Sequence, residues 1–387
     1  MYDAVVVGGG PAGAAAAARL AGAGHAVLLM DRAEFPRRKA CGECVNPAGV
    51  AALHALGAWD AVDATRPARL DGWRIRPGSE DGFRGRFPGG VHGIGIEREV
   101  LDAVLLDHAR LSGAEVRTGA HVVDVAREGG RVVGVRMATG EEIRARLVVG
   151  ADGLRSVVMR RLDLLRRSPR LRKIALTAHV AGVDAAGRGW GELRALGRGC
   201  VGIAEVGGGR HNVTVVVAGD EAREVAGDPA GFFDDALNRF GFADARRVDD
   251  VLTTGPFDFP VRRAIADGAL LVGDAAGYYD PFTGQGIFRA LRGAELAART
   301  AGAALRAGDL SAAGLAPYER ARRRAFGSGE RVQHLVEAFV SRPALLRRVS
   351  RRFARRPALG DAIIRVTGDV RPARSLLRPG LLAGFLF

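Results

Sequence analysis

Apolar positions along the chain fall into three rhythms. Residues 4–7 and 26–30 are short unbroken apolar runs, the pattern of strands buried on both faces of a parallel sheet. Between them, Gly8-Gly9-Gly10-Pro11-Ala12-Gly13 leads into a run of small helix formers at 14–21, which Gly22 and Gly24 end. Strand, glycine turn, helix and strand make a βαβ unit. Val100, Leu101, Val104, Leu105 and Ala109 recur at helical spacing and predict a helix over 97–111, with another over 53–62. Residue 116 and segments 121–126, 131–137 and 143–149 predict strands, with Gly129-Gly130 and Thr139-Gly140 as hairpin turns. Glycine-rich 71–87 predicts short strands and turns. Alternation dominates 172–262 and predicts a mainly antiparallel sheet, clearest at 174–180 and 212–217, with a helix over 232–240. A strand at 270–272 precedes a long helix of small residues over 285–305. From Pro317 onward the pattern predicts short basic helices broken at Pro343, Pro357, Pro372 and Pro379.

Composition narrows the class. The chain has 387 residues, 48% hydrophobic and 26% charged, with mean hydropathy +0.04, which excludes a disordered chain. No run approaches ~18 apolar residues, so no membrane-crossing helix is expected. The apolar end at 381–387 is too short to span. No basic region precedes the first strand, so no signal peptide is expected. Cys41, Cys44 and Cys200 are too few for a disulfide scaffold and fit a reducing cytoplasm, the expected location.

The net charge of +14 is uneven. From Pro317 to the end there are 16 Arg against 5 acids. Lys39 and Lys173 are the only lysines, so arginine carries almost all the basic charge. Arginine beside 55 Gly fits a GC-rich coding sequence. The sharper reading, second to that one, is a peripheral surface for anionic lipid or an acidic carrier. Nucleic acid is not expected as a partner, because no aromatic residues interleave with the charge.

Candidate chemistry begins at the first turn. In Gly8-x-Gly10-x-x-Gly13 the glycines allow a tight turn, close approach to a pyrophosphate, and close packing of helix on strand. The helix N-terminus presents free N–H groups to phosphate. Asp31 closes the second strand 18 residues after Gly13, where a carboxylate accepts ribose hydroxyls. That ordered context points to a dinucleotide. A second complete unit is lacking, so a nicotinamide donor would bind without its own domain. Later, Gly273-Asp274-Ala275-Ala276-Gly277 follows a strand, and Gly284-Gln285-Gly286-Ile287 opens the long helix. The acid suits sugar-chain hydroxyls, and the helix start suits a developing negative charge.

These motifs, with Gly150-Ala151-Asp152-Gly153 and the order GDAAGYYDPFTGQGI over 273–287, resemble the FAD-dependent oxidoreductases of the p-hydroxybenzoate hydroxylase fold. Cys41-Gly42 and the helix-opening Arg98 are similar to the geranylgeranyl reductase branch. The resemblance covers about residues 1–320. It implies that Gly8, Gly10, Ala12 and Gly13 wrap the pyrophosphate of FAD, and that Asp31 and Arg32 meet the adenosine ribose. It further implies that Cys41 and Gly42 lie near the flavin, and that Arg98 reaches the phosphate or ribityl region. Val122 would touch the adenine and Asp274 the ribityl chain. Gly284, Gln285, Gly286 and Ile287 would face the pyrimidine edge. NAD(P)H is the expected donor.

The fold expected is α/β. A Rossmann-type FAD-binding domain over 1–62, 96–158 and 263–316 is interleaved with an antiparallel substrate sheet over 63–95 and 159–262. The basic helical segment 317–387 follows. Tyr278, Tyr279 and Phe282 flank the flavin motif and are expected on the substrate side, whereas Trp73, Trp190 and Phe257 are read as core. Cys41-x-x-Cys44 is read as the family cysteine with an incidental second one, and no metal site is expected. The segment 198–204 lacks the Tyr-Trp-Pro signature of prenyl reductases, and Gly277 stands where hydroxylases carry His. Halogenase signatures are absent. The leading expectation is a monooxygenase of the hydroxylase type, acting on a lipophilic or aromatic molecule such as a polyketide or quinone precursor. Alternatives are saturation of isoprenoid double bonds, or a non-catalytic flavin-binding or membrane-surface protein. No side chain is singled out as catalytic.

Overall fold

The computed structural model describes residues 1–78, 80–170, 172–183, 187–197, 199–278, 284–340 and 342–377. Its first sheet is built on Tyr2–Val7, which runs parallel between Val27–Met30 and Glu142–Gly150. Glu115–Arg117 extends one side in parallel, and Ala269–Leu271 the other. The hairpin Val122–Glu128 and Arg131–Met137 attaches to Glu142–Gly150. Val5, Val6, Leu28, Leu29, Val148 and Leu270 are buried because helices cover this sheet.

The helix Pro11–Ala21 packs against the Arg98–Leu111 and Gly286–Ala307 helices. Its alanines allow this close approach. Gly8 has φ +106°, and a Cβ at Gly13 would stand 1.8 Å from the Gly8 carbonyl oxygen, so neither position accepts a side chain in this packing.

The second sheet follows the order Arg246–Arg247, Lys173–Ala181, Arg210–Ala218, Gly199–Gly207, Trp190–Leu196, Gly72–Pro77, Phe83–Arg86. All of its pairings are antiparallel except that of Trp190–Leu196 with Gly72–Pro77. The helix Pro229–Arg239 covers one face through Phe232, Phe233 and Leu237. A small third sheet joins Cys44–Val45, Gly93–Gly95 and Ala68–Leu70.

The C-terminal part departs from the expected pattern. A helix runs over Ala312–Val340 with Pro317 inside it, rather than beginning there. Proline forfeits one backbone hydrogen bond in such a place. Buried Tyr318 beside it donates its hydroxyl to the Leu271 carbonyl at 2.7 Å and ties this helix to the first sheet. The boundary expected at 316/317 therefore falls inside one helix, and that at 158/159 inside Val157–Arg161. Pro343 and Pro357 open helices, Pro343–Arg355 and Pro357–Thr367, in the first-turn position that proline favours.

These last two helices roof the second sheet at its Gly72–Pro77 and Phe83–Arg86 edge. Leu346, Phe353, Leu359 and Ile364 face inward, whereas Arg347, Arg348, Arg351 and Arg355 are exposed. The contact is tight. A Cβ at Gly85 would stand 2.4 Å from the Gly360 carbonyl oxygen, and one at Gly360 2.5 Å from that of Arg84. Asp361 Oδ1 accepts from the Arg86 N–H at 2.8 Å, which pins this helix to the strand. Among the described residues, no helix is long and apolar enough to cross a membrane.

Candidate functional site

One cavity of about 950 Å³ joins the two large sheets and the roof. Its first arm is the glycine turn. Gly10 caps the helix Pro11–Ala21 without any side chain, so the first N–H groups of that helix face the cavity. The nearest atoms to a Cβ placed on Gly10 would be Arg98 Nη2 at 3.7 Å and Arg37 Nη2 at 3.8 Å. Both guanidiniums are held by Asp102, which is fully buried. Arg98 donates to it twice, at 2.8 and 2.6 Å, and Arg37 once at 3.1 Å. Helix dipole and paired arginines converge on one point, which suits a pyrophosphate.

The other positions expected at a nucleotide surround this arm. Gly8, Ala12, Asp31, Arg32 and Val122 line it, and Gly13 packs behind them on Gly8. Asp31 already accepts from Gly9 N at 2.6 Å and from Ala33 N at 2.9 Å, so its carboxylate is fixed in orientation. Asp274 lines the cavity, and burial raises its pKa against the pull of Arg98 and Lys39. Asp152 Oδ1 is buried with no hydrogen-bond partner among the described residues, while Oδ2 accepts from Val157 N at 2.6 Å. A cradle that a side chain on Gly10 would fill and an orphaned carboxylate oxygen in its wall both fit a bound FAD.

Gly284, Gly286 and Ile287 line the cavity at the start of the Gly286–Ala307 helix. Gln285 stands apart from them. It is buried, and its amide donates away from the cavity to Asp369 Oδ2 at 2.7 Å. Cys41, Gly42, Glu43 and Cys44 form the facing wall. Both thiols are free. Burial pushes the Cys41 thiol pKa up, with Arg98 pulling it down.

The second arm is apolar. Trp73, Ile75, Leu193, Val216, Phe257 and Tyr278 line it from the sheet side, and Leu346, Val349, Phe353, Ile363 and Leu376 close it from the roof. Trp73 and Phe257, read as core from the sequence, face this arm. Buried Phe257 is tilted against Tyr278, ring centroids 6.1 Å apart. Trp190 does not line the arm and lies under Arg84 and Arg86. Tyr279 and Phe282 lie outside the described residues.

Sequence reasoning missed Glu43, His179, Asn212 and Asp249, which gather behind Cys41, and it missed the roof. The signal for the first was one histidine inside the apolar strand run 174–180, where a buried imidazole needs distant partners. The signal for the second was the Leu346, Val349, Phe353 spacing among the arginines.

Comparison with known proteins agrees with this geometry. The FAD binding domain family matches residues 1–329. The chain is 33% identical over 323 residues to a digeranylgeranylglycerophospholipid reductase of Methanosarcina mazei, covering 80% of this chain and 77% of that one. It is 32% identical over 327 residues to a menaquinone reductase of Mycobacterium tuberculosis, covering 76% and 75%. The flavin-dependent brominase Bmp2 superimposes with TM-score 0.83 over 99% of this chain and 98% of its own; at 21% identity that likeness is one of fold alone. The chain belongs to the FAD-dependent oxidoreductases that share this FAD binding domain and the p-hydroxybenzoate hydroxylase fold, with geranylgeranyl-type reductases among its relatives.

Proposed function

We propose that this flavoenzyme reduces carbon–carbon double bonds in a long isoprenoid chain, with NAD(P)H as the electron donor. The observation that carries the reading is the apolar arm. It runs from the Cys41–Gly42 turn to the roof and is walled by side chains such as Ile75, Leu193, Phe353 and Leu376 that suit a flexible hydrocarbon. The reductase relatives support it.

In this reading Gly8, Gly10, Ala12 and Gly13 hold the FAD pyrophosphate with Arg37 and Arg98. Asp31, Arg32 and Val122 hold the adenosine, and Asp274 with Asp152 holds the ribityl chain. Gly284, Gly286 and Ile287 meet the pyrimidine edge through backbone N–H groups, with Gln285 supporting them from behind. FAD supplies hydride chemistry when bound. The chain itself must supply a proton to the other carbon of the double bond. Cys41 Sγ is placed to hold it, because burial keeps the thiol protonated at neutral pH. The arm excludes water from this exchange.

In this reading the chain divides into a FAD unit, a substrate sheet and a C-terminal segment that acts as roof, with the boundaries at 158/159 and 316/317 moved off the helices Val157–Arg161 and Ala312–Val340. Its outward arginines, Arg348 and Arg355 among them, fit an anionic membrane surface from which a lipid substrate enters. A second reading, hydroxylation of an aromatic substrate, is favoured by Trp73, Phe257 and Tyr278 in the wall of the arm. Oxygen separates the two. Anaerobic turnover with a polyprenyl lipid and NADPH should add two hydrogens per double bond. Product that forms only with oxygen and carries an added oxygen atom would establish hydroxylation instead.

A further inference from the structure

A buried charged cluster stands behind the Cys41–Gly42 turn. His179 projects from Lys173–Ala181 and is 4% exposed, as is Glu43. His179 Nε2 is 2.6 Å from Glu43 Oε2, and Nδ1 is 2.6 Å from Asp249 Oδ2. Both ring nitrogens therefore face carboxylate oxygens, and each must donate. An imidazole with two N–H groups is a cation. Burial pulls its pKa down, but the hydrogen bonds and charges of Glu43 and Asp249 carry it up to about 9. Arg38 Nη2 lies 2.9 Å from Asp249 Oδ2 and completes the balance of charge. Nearby Glu97 pairs with Arg210, and Arg98 with Asp102.

Glu43 is gripped from every side. Its Oε1 accepts from Arg98 N at 2.7 Å, at the start of the Arg98–Leu111 helix. Its carbonyl accepts from Ile96 N at 2.9 Å. Asn212 Nδ2 donates to Glu43 Oε2 at 3.1 Å and to the Cys41 carbonyl at 3.0 Å. Glu43 has φ +54°, a left-handed conformation that residues with side chains seldom adopt, and these partners hold it there. The strand, the helix and the turn thus meet at one carboxylate.

We propose that Glu43, fixed by the His179 cation, is a positioning residue that sets the Cys41–Gly42 turn, and hence the Cys41 thiol, against the flavin face of the cavity. The proposal rests on the reading that this turn faces FAD and that Cys41 holds the transferred proton. Losing the Glu43–His179 pair frees the turn and lets Cys41 move without emptying the pyrophosphate site, which other residues build.

The test uses FAD-loaded protein carrying Cys44→Ser and Cys200→Ala, so that alkylation reports Cys41. Glu43→Gln and His179→Gln are each expected to speed iodoacetamide labelling of Cys41 about tenfold and to alter the visible flavin spectrum. They should lower kcat with little change in KM. A spectral change in the parent protein near pH 9, where His179 loses its proton, should be absent in His179→Gln. Labelling and spectra at parental values in both variants would overturn the proposal. If either variant fails to fold, Asp249→Asn keeps the Glu43–His179 contact and should give a smaller increase in labelling; no increase would also overturn it. Failure of the reductase reading would appear separately, as a parent protein inactive on polyprenyl lipid, because labelling and spectra need no substrate.

Discussion

Asp369 Oδ2 accepts hydrogen bonds from Gln285 Nε2 at 2.7 Å and from Asn46 Nδ2 at 3.0 Å. This carboxylate follows the last roof helix, Gln285 caps the helix Gly286–Ala307, and Asn46 caps Pro47–Leu56. One side chain thus latches the roof of the apolar arm to the helix start that lines the cavity at Gly286 and Ile287.

The latch has a predictable pH dependence. Burial raises the Asp369 pKa to about 6, despite the hydrogen bonds from Gln285 and Asn46. An unfolded aspartate titrates near ~3.9. Between these values the folded state binds the extra proton, so unfolding free energy falls as pH rises through that window and is level above it. Asp369→Asn should remove this slope and keep the roof closed, since Asn accepts hydrogen bonds and tolerates the φ of +56°. Melting curves of both proteins from about pH 4 to 8 check this. Parallel slopes would refute it.

Roof side chains should set substrate length. Leu346→Trp shortens the apolar arm and should raise KM for a long polyprenyl lipid about tenfold while leaving a short analogue unaffected. Phe353→Ala should cost about 3–5 kcal/mol, because Phe353 is buried edge-to-face on Phe83 with centroids 4.9 Å apart. Steady-state kinetics and denaturant titration read these two effects.

Gly10→Val should yield folded protein that purifies without flavin. The new Cβ meets Arg98 and Arg37 at ordinary contact distance, so the fold accepts it, but the side chain fills the pyrophosphate cradle. The visible spectrum and a far-UV spectrum together decide this.

Cys41→Ala should lower the rate of double-bond reduction by about a hundredfold, the scale of a lost general acid, with Ser restoring part of it. Chemical reduction of the flavin in the same variant should be unchanged. An equal loss in both steps would place Cys41 in flavin binding rather than in proton delivery.

Charge reversal at Arg348 and Arg355 should weaken flotation with anionic vesicles and leave neutral vesicles unaffected. Equal flotation of parent and variant would detach the membrane from the account.

The sequence was most informative where chemistry is local. Gly8 to Gly13, Asp31 and Asp274 could be placed because a glycine turn between strand and helix admits few alternatives, and the structure lines the cavity with most of them. Gln285 was harder, because its partner Asp369 lies 84 residues away. Glu43 and His179 are 136 residues apart, and no periodicity relates a left-handed turn to the inward face of a distant strand. The roof was hidden for a different reason. Its arginines dominate the composition of the C-terminal segment, while the apolar stripe of Leu346, Val349 and Phe353 is narrow. Trp73 and Phe257 read as core because a side chain in a cavity wall is as apolar as one in the interior.

The most direct measurement is anaerobic turnover with NADPH and a polyprenyl lipid, followed by mass spectrometry of the product. The account predicts a product gaining two hydrogens per double bond without oxygen, formed about a hundredfold more slowly once Cys41 is alanine. A product that appears only with oxygen and carries an added oxygen atom would contradict it.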